Sequence, residues 1–204
     1  MNRYLKKSPI LSVTASALCL AGAFAALGIL GAPCAHAAFE MKSDVADALG
    51  KGIVIASESD ISTRLDNGGF EIRSQNLNIT RRADDGSTVW IIRDGVNDCD
   101  VDGFGAKILD RTRMTDLDGD GLSEIWTAYT LECRSDPSPT SMKIIMYEGT
   151  QKHAMRGETR VTFSIGDGKF ETQGGEYEFD PSFRQAPENF RRYAKKLWDR
   201  LVAE

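Results

Sequence analysis

The run Asp116-Leu117-Asp118-Gly119-Asp120-Gly121-Leu122-Ser123-Glu124 leads without a break into Ile125-Trp126-Thr127-Ala128-Tyr129. Three aspartates alternate with Leu117 and Gly119, and Glu124 adds a fourth carboxylate within nine residues. Like charges held this close repel, and a hard cation relieves that repulsion best, because carboxylate and carbonyl oxygens are its preferred ligands. Gly121 follows the third aspartate, where a sharp turn needs a residue tolerant of positive φ. The segment that follows is apolar, aromatic and β-branched, the composition of a buried strand. The chain is therefore expected to be β-rich and built around an acidic loop that binds calcium. The competing reading is an Asp/Gly-rich surface turn that binds nothing specific.

An EF-hand loop begins in the same way but needs a glutamate at its twelfth position and a helix around it. Here that position is Thr127, inside the strand-like run. The stretch instead resembles the D-x-D-x-D-G-x-x-[DE] loop of FG-GAP repeats, the propeller repeats of integrin α chains and many bacterial surface proteins. The resemblance implies that calcium is held by the side chains of Asp116, Asp118, Asp120 and Glu124 and by the backbone carbonyl of Leu122. The family usually carries Asp at the ninth position. Glu124 is longer, which leaves direct, bidentate and water-mediated roles open. One such loop is too few for a propeller, so the loop is expected to be grafted on another β-rich fold.

The N-terminus reads as an export signal covering residues 1–37. Arg3, Lys6 and Lys7 precede an apolar stretch over residues 10–30, and Ala35-His36-Ala37 supplies the small-x-small pattern cut by signal peptidase. The apolar stretch is also long enough for a retained membrane anchor. Gly31-Ala32-Pro33 before Cys34 lacks the pattern of a lipoprotein cut. The mature chain, residues 38–204, has the length of one domain. Loss of the three basic residues leaves 22 basic against 30 acidic side chains, a net charge of about −8. That weighs against nucleic acid as a partner. Cys99 and Cys133 remain as an even pair in an exported chain, and a disulfide is expected. Two buried free thiols are the alternative. With His36 lost, His153 is the only histidine left, which gives no basis for a zinc site or a Ser-His-Asp triad.

Spacing along the mature chain predicts a mainly β (α+β) domain, antiparallel, with one C-terminal amphipathic helix. Met41, Val45 and Leu49 suggest a short helix over residues 39–50. Strands are expected at 53–56, 70–79, 88–93, 106–114 and 125–131, and hairpins at 142–157 and 161–172. A second acidic stretch, residues 94–105, reads as a solvated loop, or as the source of one more carboxylate for the same cation. From Pro187, the residues Phe190, Tyr193, Ala194, Leu197, Trp198 and Leu201 fall on one face of a helix over about 187–203, with Arg191, Arg192, Lys195, Lys196 and Arg200 largely off it. That helix is expected to dock on the sheet rather than lie on a membrane.

The segment from Asp98 to Gly157 is also similar to a small family of bacterial exported proteins. Their shared runs stand here as the acidic loop, Cys133-Arg134-Ser135-Asp136-Pro137-Ser138-Pro139, residues 142–149 and Ala154-Met155-Arg156-Gly157. The family is often labelled as surface polysaccharide biosynthesis protein. The signal, the loop and this resemblance together lead to the expectation of a calcium-binding envelope protein, periplasmic or on the cell surface, partnered by envelope glycan or protein; with the signal cut, the membrane is not an expected partner. No catalytic constellation stands out, so a non-catalytic role is the first expectation. A carboxylate-dependent enzyme of polysaccharide metabolism and a structural subunit docking through its tail helix are the alternatives.

Overall fold

A computed structural model describes residues 37–203. The expected signal segment lies outside them, apart from its last residue, Ala37. Thirteen strands and two helices are described. Two antiparallel sheets form the body, and helices cover the outer face of the second.

The first sheet contains β1 (Ala37–Asp47), β2 (Gly50–Ser59), β3 (Ser62–Leu65), β4 (Glu71–Ala83) and β5 (Thr88–Cys99). The long β4 is central. β2 and β3 share one of its sides in succession, β5 takes the other, and β1 closes the edge beyond β2. The second sheet has the order β13-β10-β9-β8-β6, with β7 also paired to β8. Its members are β6 (Gly103–Ile108), β7 (Arg113–Thr115), β8 (Glu124–Arg134), β9 (Ser141–Glu148), β10 (Gln151–Glu158) and β13 (Tyr177–Phe179). A separate hairpin joins β11 (Arg160–Gly166) to β12 (Lys169–Gly174).

Strand β8 shows why the sequence there reads as continuously apolar. Successive side chains of a strand point to opposite faces, and both faces of this one are covered. Ile125 and Tyr129 join a core between the sheets that also includes Leu77, Ile79, Trp90, Ile92, Ile145 and Tyr147. Trp126 and Ala128 join a second core with Met142, Ile144, Met146, Phe183, Phe190, Leu197 and Trp198. The helices α1 (Pro181–Gln185) and α2 (Glu188–Leu201) supply the far side of that second core. The C-terminal helix thus docks through the apolar face that its sequence marks out. The brief α1 has no periodic signal. It is started by Asp180, whose carboxylate accepts the Phe183 amide at 2.8 Å.

The expectation of a helix over residues 39–50 is corrected: β1 and the β1–β2 turn occupy them. A spacing of four residues is common to a helical face and to one face of a strand. Met41 and Val45 do pack on the inter-sheet core, on the inner face of β1. Leu49 lies in the turn and is 49% exposed. The second acidic stretch is also not one solvated loop. Asp94 begins the last part of β5, where its Oδ2 accepts from the Tyr129 hydroxyl at 2.8 Å and the Lys143 Nζ at 2.7 Å. Asp98 pairs with Arg64.

Cys99 and Cys133 are bonded, with Cα atoms 5.8 Å apart, inside the usual range. The bond joins the end of β5 to the end of β8, and so one sheet to the other.

Candidate metal centre

The acidic loop lies between β7 and β8, at the end of the sandwich opposite the disulfide. Its ends are fixed by Thr115 pairing with Glu124 across β7 and β8. Within it, each aspartate folds the backbone around its own carboxylate. Asp116 Oδ1 accepts from the Gly119 amide at 2.8 Å, Asp118 Oδ1 from the Asp120 amide at 3.3 Å, and Asp120 Oδ1 from the Leu122 amide at 2.7 Å. Gly119 and Gly121 take φ of 78° and 85°, the left-handed region in which glycine carries no Cβ penalty.

These turns bring the carboxylates together. Asp116, Asp118 and Asp120 can each offer an oxygen within 4.8 Å of the others. Asp118, Glu124 and Glu148 form a second group by the same measure. Asp118 belongs to both. The three aspartates are exposed, whereas Glu124 is fully buried. Among the described residues, these groups could hold a metal ion. Leu122 lies in the same loop, with its amide donated to Asp120 and its side chain beside Gly149.

Glu124 is more firmly fixed than a surface ligand. Its Oε1 and Oε2 accept from the Leu117 amide at 2.8 and 3.0 Å, and Oε2 also accepts from the Thr115 hydroxyl. The Thr115 oxygen in turn accepts from the indole N–H of Trp126 at 2.8 Å. A chain of hydrogen bonds therefore runs from the helix-side core to the acidic group. Burial pushes the Glu124 carboxyl above its ordinary range, against the hydrogen bonds of Thr115 and Leu117, and the neighbouring Asp118 and Asp116 add to the rise.

Glu148 is the carboxylate that the sequence reading did not place at the site. It stands directly opposite Glu124 in the β8–β9 register. Like charges so placed destabilise a sheet. One of its oxygens, Oε1, is buried with no hydrogen-bond partner. Burial, then the charges of Asp118, Asp120, Glu124 and Asp116, push its pKa up to about 7. An orphaned buried oxygen beside three aspartates is what a bound cation would satisfy. Local sequence holds one hint of this, a glutamate at the end of a strand before the Gly149 turn. Its pairing with Glu124 depends on a register between strands distant in sequence.

Other elements brace the loop. The Ala48 amide donates to the Gly121 carbonyl at 2.8 Å, and the Ser123 amide to Asp47 Oδ2 at 3.2 Å. On the opposite flank, Asn189 of α2 donates its side-chain amide to the Leu117 carbonyl at 2.7 Å. The β1–β2 turn, the end of β9 and the first turn of α2 thus converge on one loop.

The donors are all oxygens, the chemistry of calcium or magnesium and not of zinc or copper. The number of carboxylates and the pliant Asp/Gly backbone suit a hard cation. Trp90, Trp126 and Tyr129 are all buried and offer no stacking face to a sugar. Compared with known proteins, the chain matches no family model, no curated protein and no solved structure.

Proposed function

We propose that this chain is an exported, non-catalytic protein of the bacterial envelope, that it holds calcium as a structural cofactor, and that its partner is a surface polysaccharide. The observation that carries the calcium reading is the orphaned Glu148 oxygen facing Glu124 across the sheet, beside the Asp116–Asp118–Asp120 group. Asp116, Asp118, Asp120, Glu124, Glu148 and the Leu122 carbonyl are the oxygens that would hold the ion. The disulfide supports an oxidising compartment. The resemblance to exported polysaccharide-linked proteins supports the partner class. The apolar face of α2 is buried in the second core, so a partner docking through the tail would meet its basic face alone.

Calcium here would act by closing the loop. It would neutralise the carboxylates and tie β7, β8 and β9 together at the end of the sandwich. A binding experiment with purified surface polysaccharides, run with calcium and with chelator, tests the proposal. Saturable binding in calcium with the polysaccharide recovered intact agrees with it. Release of shortened chains at turnover rates would replace it with the enzyme reading.

The pH behaviour gives a second test. In the metal-free protein, Glu148 and Glu124 have raised pKa values. The folded state then binds more protons than the unfolded chain between the ordinary glutamate value, near 4.5, and about 7. Stability contributed by these groups is therefore present below that window and lost as pH rises through it. His153 acts oppositely in part of the range. Burial lowers its pKa, so its contribution is lost as pH falls. The difference between wild type and Glu148→Gln isolates the carboxyl. Metal-free wild type should gain stability relative to Glu148→Gln as pH falls from 7 to 5 in urea titrations, and parallel curves would contradict this. Calcium binding near pH 7 should release protons, because ligands must be ionised to coordinate.

A further inference from the structure

A buried ion pair outside the acidic loop holds one of its peptide groups in a fixed direction. Asp47, the last residue of β1, and Arg81 of β4 pair at 2.8 Å, with side chains 1% and 2% exposed. Oδ1 of Asp47 takes both the Arg81 Nη2 and the Leu49 amide, the latter at 2.9 Å. Its other oxygen, Oδ2, takes the Ser123 amide of the acidic loop. The neighbouring Ala48 amide binds the Gly121 carbonyl. Leu122 is therefore clamped on both sides by the β1–β2 turn.

The geometry of the peptide unit gives this clamp a consequence. The Ser123 N–H and the Leu122 carbonyl belong to one planar trans peptide, so they point in opposite directions. With the N–H directed at Asp47, the carbonyl is directed away from it. We infer that Asp47, anchored by Arg81, is a positioning residue for the metal centre, which turns the Leu122 carbonyl outward to serve as a calcium ligand. The inference rests on the calcium reading above. It adds that affinity is set partly from inside the sandwich, by a pair that never touches the ion.

The arrangement follows the way outer partners orient metal ligands elsewhere, where their loss costs about 10–100-fold in affinity. Here the oriented group is a backbone carbonyl, and the orienting group is a buried carboxylate fixed by a guanidinium. Asp47 stays ionised in this setting. Burial opposes its charge, but hydrogen bonds from Arg81, Ser123 and Leu49 outweigh it and hold its carboxyl below the usual range.

The test is a calcium titration of the metal-stripped chain by calorimetry, in parallel for wild type, Asp47→Asn, Arg81→Gln and Val96→Ala. Val96 is buried on β5 opposite Gln75, towards the Cys99 end of the strand. Its truncation lowers stability at a distance from Asp47 and Arg81, which makes it the control for a merely structural effect. Circular dichroism at the titration temperature confirms that each variant is folded. Wild type and Val96→Ala should bind calcium alike, and Asp47→Asn and Arg81→Gln about 10–100-fold more weakly. Folded Asp47→Asn with wild-type affinity overturns the positioning role and leaves the calcium reading intact. Equal weakening in Val96→Ala also overturns it, since affinity would then track stability alone. Wild type that binds no calcium removes the underlying reading itself.

Discussion

Replacing both Cys99 and Cys133 with serine is expected to lower the free energy of unfolding by about 3–4 kcal/mol. The bond spans a sequence separation of 34 residues. In the chain-entropy account, cutting a loop of that size frees the unfolded chain by about this amount. The loop so released contains β6, β7, the acidic loop and most of β8. The bond also fastens the first sheet to the second at the pole away from the acidic loop, so the native contacts around Cys99, which is fully buried, lose their tie. For a domain of this size the change corresponds to a drop of about 10 °C in melting temperature. Urea denaturation of the oxidised protein beside the double-serine variant, both with calcium, measures it. Coincident transitions would show that the bond contributes nothing to stability.

The second large effect is the one expected of the proposed calcium ion. Binding to the folded state alone stabilises it by about 2.7 kcal/mol when calcium stands a hundredfold above its dissociation constant. Chelation should then lower the melting temperature by about 5–10 °C, and added calcium should restore it. Magnesium should restore less, because it demands tighter octahedral geometry and gives up its water reluctantly. Asp118→Ala should abolish most of the response, since that carboxylate belongs to both acidic groups. Glu124→Ala should behave differently. It removes a fully buried acceptor of the Leu117 and Thr115 hydrogens, so it should lower stability with calcium and with chelator alike. A melting temperature unmoved by chelator in wild type would contradict the structural role of calcium.

Much of this architecture can be read from the chain because local chemistry decides it. The hairpin of β9 and β10 announces itself through Met142 to Tyr147 and the Gly149 turn, and α2 through Phe190, Ala194, Leu197 and Trp198 at helical spacing. The acidic loop is legible for the same reason, since Asp116, Asp118 and Asp120 and the glycines between and after them form the turn by themselves. What is not legible depends on distant partners. Met41 and Val45 suit a helix or a strand equally, and only pairing with β2 decides between them. Glu148 becomes part of the centre only through the register that sets it opposite Glu124. Asp47 looks like an ordinary turn aspartate until β4 brings Arg81 beneath it. The sequence names the loop, and long-range pairing supplies the groups that complete and orient it.

The most direct test of the proposed calcium centre is equilibrium dialysis of the metal-stripped chain against increasing calcium, with bound metal counted by elemental analysis. Wild type should saturate at one calcium per chain, with a dissociation constant no weaker than the roughly 10⁻⁴–10⁻³ M of extracellular calcium modules, and Asp118→Ala should not saturate in that range. Wild-type protein that retains no calcium above the background of Asp118→Ala would contradict the account and leave residues 116–124 as an acidic turn.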